Sequence, residues 1–430
     1  MAFYIIEKQE QLQQLGPFKD CFVEFIQYNN NFHPKLNGIS LVYVRDISHH
    51  KGYILCIEHN ESFSLQKQDV EQWLLDKTER MFVLDKKHTL YYFPYQQKLY
   101  DINFIESVNL SISNKCIDFY YRKYYNTPNI NTIIPISKHY ENCENIFNGV
   151  IHVINKYSQD NAVYAFNNGP LSYVFNQIES NGIKIDKNNF IKQYGQNLKN
   201  PEFNIQKGKI YTCYNIYNIT GRPSNNFNGI NFLALNKTNG ERQCYIPENG
   251  TFIEIDIQGL HPRLIADMIR FEFGNKNTYE LLGELLDVTQ QEAKELTFKQ
   301  IYGGVWEEYK DKPFFKDVNI LTDKIWEEYQ SSGKYETKNR VFLYHTDMTK
   351  SKLLSYIIQS IETSGNVEML EKILDYLKDK KTKIVLYTYD AILIDFNKED
   401  GNQLLNNIKD IIPYPINIKQ GNTYHDLQKM

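Results

Sequence analysis

FIEIDIQGLHPRLIAD, residues 252–267, is the stretch whose reading decides the fold. Side chains alternate across an extended strand, so Phe252, Glu254 and Asp256 share one face and Ile253, Ile255 and Ile257 the other. The isoleucine face is expected to be core and the opposite face to offer carboxylates. Beyond Gly259 the pattern runs through Pro262 into a helix. Ordinary edge strands alternate in the same way, so these residue types supply acids without assigning them a task.

Two further stretches bear on that question. KIVLYTYDAILIDF, residues 383–396, reads as strand, tight turn, strand, with Asp390 at the hairpin tip. Hairpin turns use Asp for backbone reasons alone, and Asp395, facing the other way, is the weaker candidate. TQQEAKELTFKQIYGG, residues 289–304, reads as a helix from about 290 to 302, with a capping box of Thr289 and Glu292 and a stop at Gly303 and Gly304. Gln290, Lys294, Phe298 and Tyr302 recur every four residues, so one face carries one cation and two flat rings. By itself this is a partly buried helix with a snorkelling lysine. Beside Asp256 and Asp390 it reads differently. Two carboxylates from separate strands suit a pair of Mg²⁺ ions about 3.5–4 Å apart, which lower the pKa of an attacking hydroxyl and stabilise a leaving oxygen. A lysine on a facing helix would neutralise phosphates, and a ring would stack on a base.

The whole chain sets wide bounds. Its 430 residues suggest two to four domains, and 42% hydrophobic with 23% charged residues is a soluble globular composition. The 33 Tyr and 25 Phe fit AT-rich codons first and base-stacking surface second. A net charge of −4 supplies no global basic field, so nucleic acid is neither implied nor excluded. The N-terminus lacks the pattern of a signal peptide, and no apolar run approaches the ~18 residues of a membrane span. A cytoplasmic protein with no membrane association is expected. Six cysteines, scattered from Cys21 to Cys244 without a CxxC pair, imply neither a disulfide framework nor a zinc site.

Along the chain, CFVEFIQY, GISLVYV and GYILCI read as consecutive strands and DVEQWLLDK as a helix. Residues 141–182 turn helical, with Gly182 as a stop. Strands are expected to dominate 205–260, helices 262–305, and a long helix roughly 348–380. The class is α+β, with a boundary near residue 160.

The order of these pieces resembles the family A DNA polymerases. NITGRPS, with Thr220, Gly221, Arg222 and Ser224, resembles the family's TGRxS motif and is followed by an Asn-rich segment, as it is there. DIQGLHPRLIA resembles motif A at Asp256, Arg263 and Ala266. KELTFKQIYGG resembles motif B at Lys294, Phe298, Tyr302 and Gly303, and TYDAIL resembles motif C at Asp390. YIIQS carries Gln359 where the family has its Q-G-T segment. QIESNGIKID and YPINIKQGNTY resemble the segment before the thumb and the closing strand. Each motif is weak alone; their collinearity over residues 170–424 is specific.

The resemblance implies a family A polymerase palm and fingers behind an N-terminal RNase H-like α/β domain of exonuclease type. The implied domains are 1–160, degenerate exonuclease-like; 161–219, connecting helices and reduced thumb; 220–267, first part of the palm; 268–345, fingers; and 346–430, second part of the palm. The implied activity is addition of dNTPs to a primer 3′ end on template DNA, in phage or viral replication in the host cytoplasm. Asp256 and Asp390 would hold two Mg²⁺ ions, with Lys294 on the triphosphate and as proton donor to pyrophosphate. Phe298 and Tyr302 would stack near the nucleotide, Arg222, Gln359 and Gly303 would serve primer and template, and Arg263 would form an ion pair within the palm.

Several positions depart from the family pattern. His261 stands where a glutamate usually excludes the ribose 2′-hydroxyl, Gln290 where an arginine opens motif B, Tyr279 where a phosphate-contacting histidine is expected, and Ala391 where motif C has glutamate. In the N-terminal part, Glu24 and Ile26 stand in place of D-x-E, Thr89 in place of the second aspartate, and Tyr157 and Asp160 are one short of Y-x-x-x-D. A two-metal nuclease without those carboxylates should not cut. Only residues 187–219 lie between GIKID and TGR, too few for a long helical thumb, which implies a partner protein that encloses the duplex instead. Two alternatives stay open: a non-catalytic DNA-binding or replication scaffold, and a single-subunit RNA polymerase, which shares the palm but lacks a bulky residue at the place of His261.

Overall fold

The computed structural model describes residues 4–28, 33–49, 51–94, 98–110, 134–157, 169–195, 205–225, 230–274, 277–401 and 403–430. Asp160, and residues 226–229 of the Asn-rich segment, lie outside them. The chain divides into two compact units, one of residues 1–107, 112–180 and 199–207, the other of 108–111, 181–198 and 208–430.

In the first unit β1 (Tyr4–Ile6), β2 (Phe18–Gln27), β3 (Ile39–Asp46), β4 (Lys51–Cys56), β5 (Thr78–Val83) and β6 (Leu99–Asp101) form one sheet in the order β1-β4-β3-β2-β5-β6. The meander β2-β3-β4 is antiparallel, whereas β5 joins β2, and β6 joins β5, in parallel. Alternation along β2 sends Val23 and Phe25 into one core with Trp73 and Leu74 of α1 (Lys67–Lys77). Phe22 and Ile26 enter the opposite core with Cys143, Ile146 and Phe147 of α2 (Ile136–Tyr157). The unit runs on past the boundary expected near residue 160. Its reason is α3 (Leu171–Asn181), which buries Val174, Phe175 and Ile178 and pairs Glu179 with Lys87 at 2.8 Å.

The second unit is built on β7 (Gly250–Ile257), β8 (Lys383–Tyr387), β9 (Ala391–Asn397), β10 (Ile416–Gly421) and β11 (Gln428–Lys429), antiparallel throughout in the order β8-β9-β7-β10-β11. Both faces of β7 are buried along most of its length, and of the carboxylates expected on one face only Asp256, near the strand end, is partly exposed. Glu254 is covered and pairs with Lys419 across the sheet at 2.6 Å. Between 205 and 249 the expected strands reduce to two-residue pairings, such as Tyr214–Asn215 with Ser224–Asn225.

The helices of this unit that bear on the site are α4 (Leu260–Ile269), α5 (Thr278–Leu286), α6 (Gln290–Gly303), α7 (Pro313–Ser332) and α8 (Lys350–Leu377). The β7-α4 turn needs Gly259, whose φ is 60° and whose missing Cβ leaves room for the Thr278 side chain 3.0 Å away. α6 opens with the capping box expected of Thr289 and Glu292, and Gly304 follows its last turn. Among the described residues no helix is long and apolar enough to cross a membrane.

Candidate active site

β7 and β9 end side by side. Asp256 pairs with Ala391 on one side and with Asn417 on the other, and the Ile257 amide donates to the Asp390 carbonyl at 2.8 Å. This brings the two aspartates to the same end of the sheet. Tyr389, not Asp390, takes the left-handed conformation of the turn (φ 69°), and its carbonyl accepts a hydrogen bond from Asn366 at 2.8 Å. The left-handed position of the turn is thus not that of Asp390, whose carboxylate is met by its own backbone amide. Its carboxylate opens toward a cavity while neighbouring protein still desolvates it.

Burial raises the pKa of both acids, and the charge of Asp256 raises that of Asp390 further. The charge of Lys419, a hydrogen bond from Asn417 and the charge of Lys294 pull Asp256 the other way. Two oxygen-donor carboxylates that burial and mutual repulsion disfavour as anions fit a hard cation. Mg²⁺ commonly uses one or two carboxylates and completes its shell with phosphate oxygens and water. On this donor set the residues fit the group.

The cavity in front of these strand ends measures about 820 Å³. α6 lines it with Gln290, Lys294, Phe298 and Tyr302, the strand ends with Asp256 and Asp390, and other elements with Arg222, His261, Tyr279 and Gln359. Of the residues singled out in the sequence for this site, Gly303 falls elsewhere, on a second cavity of about 440 Å³ beside Gln300 and Lys350. α6 buries Ala293, Thr297, Gln300 and Ile301, so the lysine-bearing face is turned to the cavity rather than the core. Lys294 is exposed there, its Nζ 5.9 Å from the Tyr279 ring centroid. Phe298 and Tyr302 stack with centroids 5.8 Å apart and planes 7° from parallel. Burial raises the pKa of the Tyr279 and Tyr302 hydroxyls, so both are neutral donors at neutral pH.

At the far side of the cavity His261 bonds the Tyr302 hydroxyl through Nδ1, and its Nε2 lies 3.2 Å from Glu362. The same carboxylate holds Arg222 at 2.9 Å, and the Arg222 guanidinium sits 3.7 Å from the Tyr389 ring centroid. Gln359 accepts from Thr220 at 3.1 Å. Gly221, with φ 75°, lies against Arg340, whose Nη2 would be 2.9 Å from an added Cβ. Only glycine keeps the Thr220–Arg222 loop there.

At the mouth runs a chain of side-chain amides. Gln290 donates to Asn277 (3.2 Å), Asn277 to Gln258 (3.2 Å), and Gln258 to Asn417 (2.9 Å), which in turn bonds Asp256. Gln258, Asn277, Asn417, Tyr389 and Glu362 escaped the sequence reading. Glu362 had a signal, lying three residues after Gln359 on one helix face; so had Asn417 and Lys419, which alternate opposite Asp256 and Glu254. Arg263, for which an ion pair was expected, feels the charge of Asp267 one turn further along α4, while its Nε donates to the Gln258 carbonyl at 2.9 Å and its guanidinium faces Phe273 at 5.5 Å. Asp395 accepts from the Glu248 and Asn249 amides at 2.8 and 2.9 Å, a structural task.

In the first unit, Glu24 lies on the face of β2 that carries Phe22 and Ile26. It is 7% exposed, and burial, then the charge of Asp85, pushes its carboxyl up to about 8. Asp85 itself caps a short helix through the His88 amide, and Thr89 is buried at the end of that helix. Burial lowers His88 to about 4.

Sequence comparison finds no matching family model and no matching curated protein. Comparison of folds finds a solved structure described as the POL domain of Pol1 from M. smegmatis in complex with DNA primer-template and dNTP. The likeness has a TM-score of 0.76 and covers 99% of this chain and 99% of that one, at 11% sequence identity. At that identity the likeness is one of architecture, and the chain has the mixed α/β fold of a polymerase POL domain.

Proposed function

We propose that this chain is a template-directed DNA polymerase that adds deoxynucleotides to a primer 3′ end. The observation that carries the reading is the convergence, in one cavity of about 820 Å³, of two strand-end aspartates, one exposed lysine and a stacked pair of rings. The shared fold supports primer-template DNA and dNTPs as the ligands, since the similar structure holds both.

Asp256 and Asp390 would hold two Mg²⁺ ions; when bound, these supply a lowered pKa at the attacking hydroxyl and charge neutralisation at the leaving oxygen. The primer 3′ oxygen forms its bond to the α-phosphorus as the bond to pyrophosphate breaks. Lys294 draws in the triphosphate and gives a proton to the departing pyrophosphate. Phe298 and Tyr302 stack on the incoming nucleotide, while Tyr279 and Gln290 border its phosphates with one cation fewer than an arginine would bring. His261 borders the sugar. Arg222, Gln359 and Gly303 serve primer and template.

In the same reading residues 220–267 and 346–430 are the palm, 268–345 the fingers, 161–219 connecting helices with a reduced thumb, and 1–160 an exonuclease-like domain that does not cut. Glu24, neutral in its apolar surroundings, supports that last assignment. The setting is phage or viral replication in the host cytoplasm, with a partner protein enclosing the duplex in place of the thumb. Primer extension with dNTPs or rNTPs in Mg²⁺ tests the activity: template-dependent extension with dNTPs is expected, and a chain that binds DNA without extending it is a scaffold. A DNA trap added to the reaction should leave only short products. Extension by hundreds of nucleotides from the chain alone would remove the need for a partner.

A further inference from the structure

Glu362 is an acid on a helix turn that is otherwise closely packed. Its side chain is 1% exposed, and it lies on α8 among Ile358, Thr363 and Asn366, all buried. Burying a carboxylate costs several kcal/mol unless charges and donors surround it. Here two groups do so from different elements. Arg222, from the loop after Gly221, approaches Oε2 at 2.9 Å and donates from Nη2 to Oε1 at 3.3 Å; His261, on the first turn of α4, approaches Oε2 at 3.2 Å. His261 has no other freedom. Its Nδ1 is engaged by the Tyr302 hydroxyl, and its ring stands edge-on to Phe298 (6.4 Å, 67°) and Tyr302 (5.9 Å, 73°). Glu362, His261, Arg222, Phe298 and Tyr302 all border the same cavity.

We propose that Glu362 is a positioning residue that sets sugar discrimination by locking the His261 ring, with Arg222 as its countercharge. This rests on the nucleotide-adding reading above. The physical reason is the symmetry of imidazole. A histidine held only through Nδ1 pivots about that bond and yields to a larger sugar, whereas one that also has a buried carboxylate 3.2 Å from Nε2 resists that pivot and presents a firmer wall. The guanidinium of Arg222, clamped between Glu362 and the Tyr389 ring, holds the carboxylate in place.

The test compares kcat/KM for matched dNTP and rNTP in single-nucleotide primer extension by the full chain and its Glu362→Gln variant. Glutamine keeps the shape but removes the charge that holds both partners. Discrimination against rNTP is expected to fall about tenfold or more, through a lower KM for rNTP, while kcat for dNTP stays within about threefold. The His261→Ala variant is measured alone and with Glu362→Gln: once the ring is gone, the second substitution should change discrimination no further. Thermal melts accompany each variant, because a merely structural acid would lower the melting temperature and leave the ratio where it was. An unchanged ratio in a folded Glu362→Gln chain, or equal and independent effects of the two substitutions, overturns the inference and leaves the polymerase reading standing. A wild-type chain that extends primers with neither nucleotide overturns that reading, and this one with it.

Discussion

Glu24 on β2 and Asp256 on β7 occupy matching places. Each alternates with apolar residues on an interior strand of its sheet, and each feels the charge of an acid supplied beyond the end or the start of the neighbouring strand, Asp85 after β5 and Asp390 before β9. Their surroundings differ. Glu24 is buried on the β2 face of Phe22 and Ile26, and burial lifts its carboxyl to about 8, so it is largely protonated at neutral pH. Asp256 stands at the strand end, faces a cavity, and has Lys419, Asn417 and Lys294 opposing its desolvation. The difference teaches that an acid on a central strand becomes chemistry only where access and countercharge come with it.

Replacing the acids should separate the two regions most sharply. Asp256→Asn or Asp390→Asn is expected to cut nucleotide addition by about 10³-fold or more, the several kcal/mol carried by metal-held charge, with the fold and DNA binding kept. Glu24→Gln should leave addition unchanged, and labelled single strands in Mg²⁺ or Mn²⁺ should stay intact with or without it. Degradation from the 3′ end that Glu24→Gln abolishes would put a working site in the first unit and end the contrast.

The lysine comes next. Lys294→Ala is expected to slow addition by about 10²-fold, the usual cost of losing a general acid. An unchanged rate would return Lys294 to the role of a surface cation.

The third effect is on stability. Glu24 titrates near 4.5 when unfolded and about 8 when folded. Between those values the native state holds a proton that the unfolded chain has released, so stability falls as pH rises, by up to about 1.4 kcal/mol per pH unit. Glu24→Gln removes this loss. Its melting temperature should therefore gain on the wild type steadily from about pH 5 to about pH 8; a constant difference would mean that Glu24 is ionised in the fold.

The smallest expected effect lies in α6. Thr289→Ala removes one half of the capping box and should cost about 1 kcal/mol, or about 2–4 °C in melting temperature. Because α6 carries Lys294 and Phe298, KM for dNTP should rise with it. A melting shift without a KM shift would show that the helix start is independent of the cavity wall.

Features encoded by neighbours in the chain were legible in advance. The capping box of Thr289 and Glu292, the four-residue spacing of Gln290, Lys294, Phe298 and Tyr302, the alternation along 252–257 and the hairpin at 383–396 all appear in the structure. Features that depend on distant partners were not. Alternation put Glu254 and Asp256 on one carboxylate face of β7, but Glu254 is buried against Lys419 and only Asp256 is partly exposed. Arg263 read as half of an ion pair, but not legible was the Gln258 carbonyl its Nε also meets, in a turn whose shape is set by Gly259 packing on Thr278.

By itself, then, the sequence determined the alternation along 252–257, the hairpin at 383–396 and the cavity-facing row of the helix from 290, because those follow from 2- and 3.6-residue periods and from caps within a few residues. Only the tertiary structure decided that Asp256 is open while Glu24 is closed, and that Glu362 meets His261 and Arg222. Burial and charge proximity depend on which elements pack together, and in this chain the elements that meet at the cavity lie between residues 222 and 417.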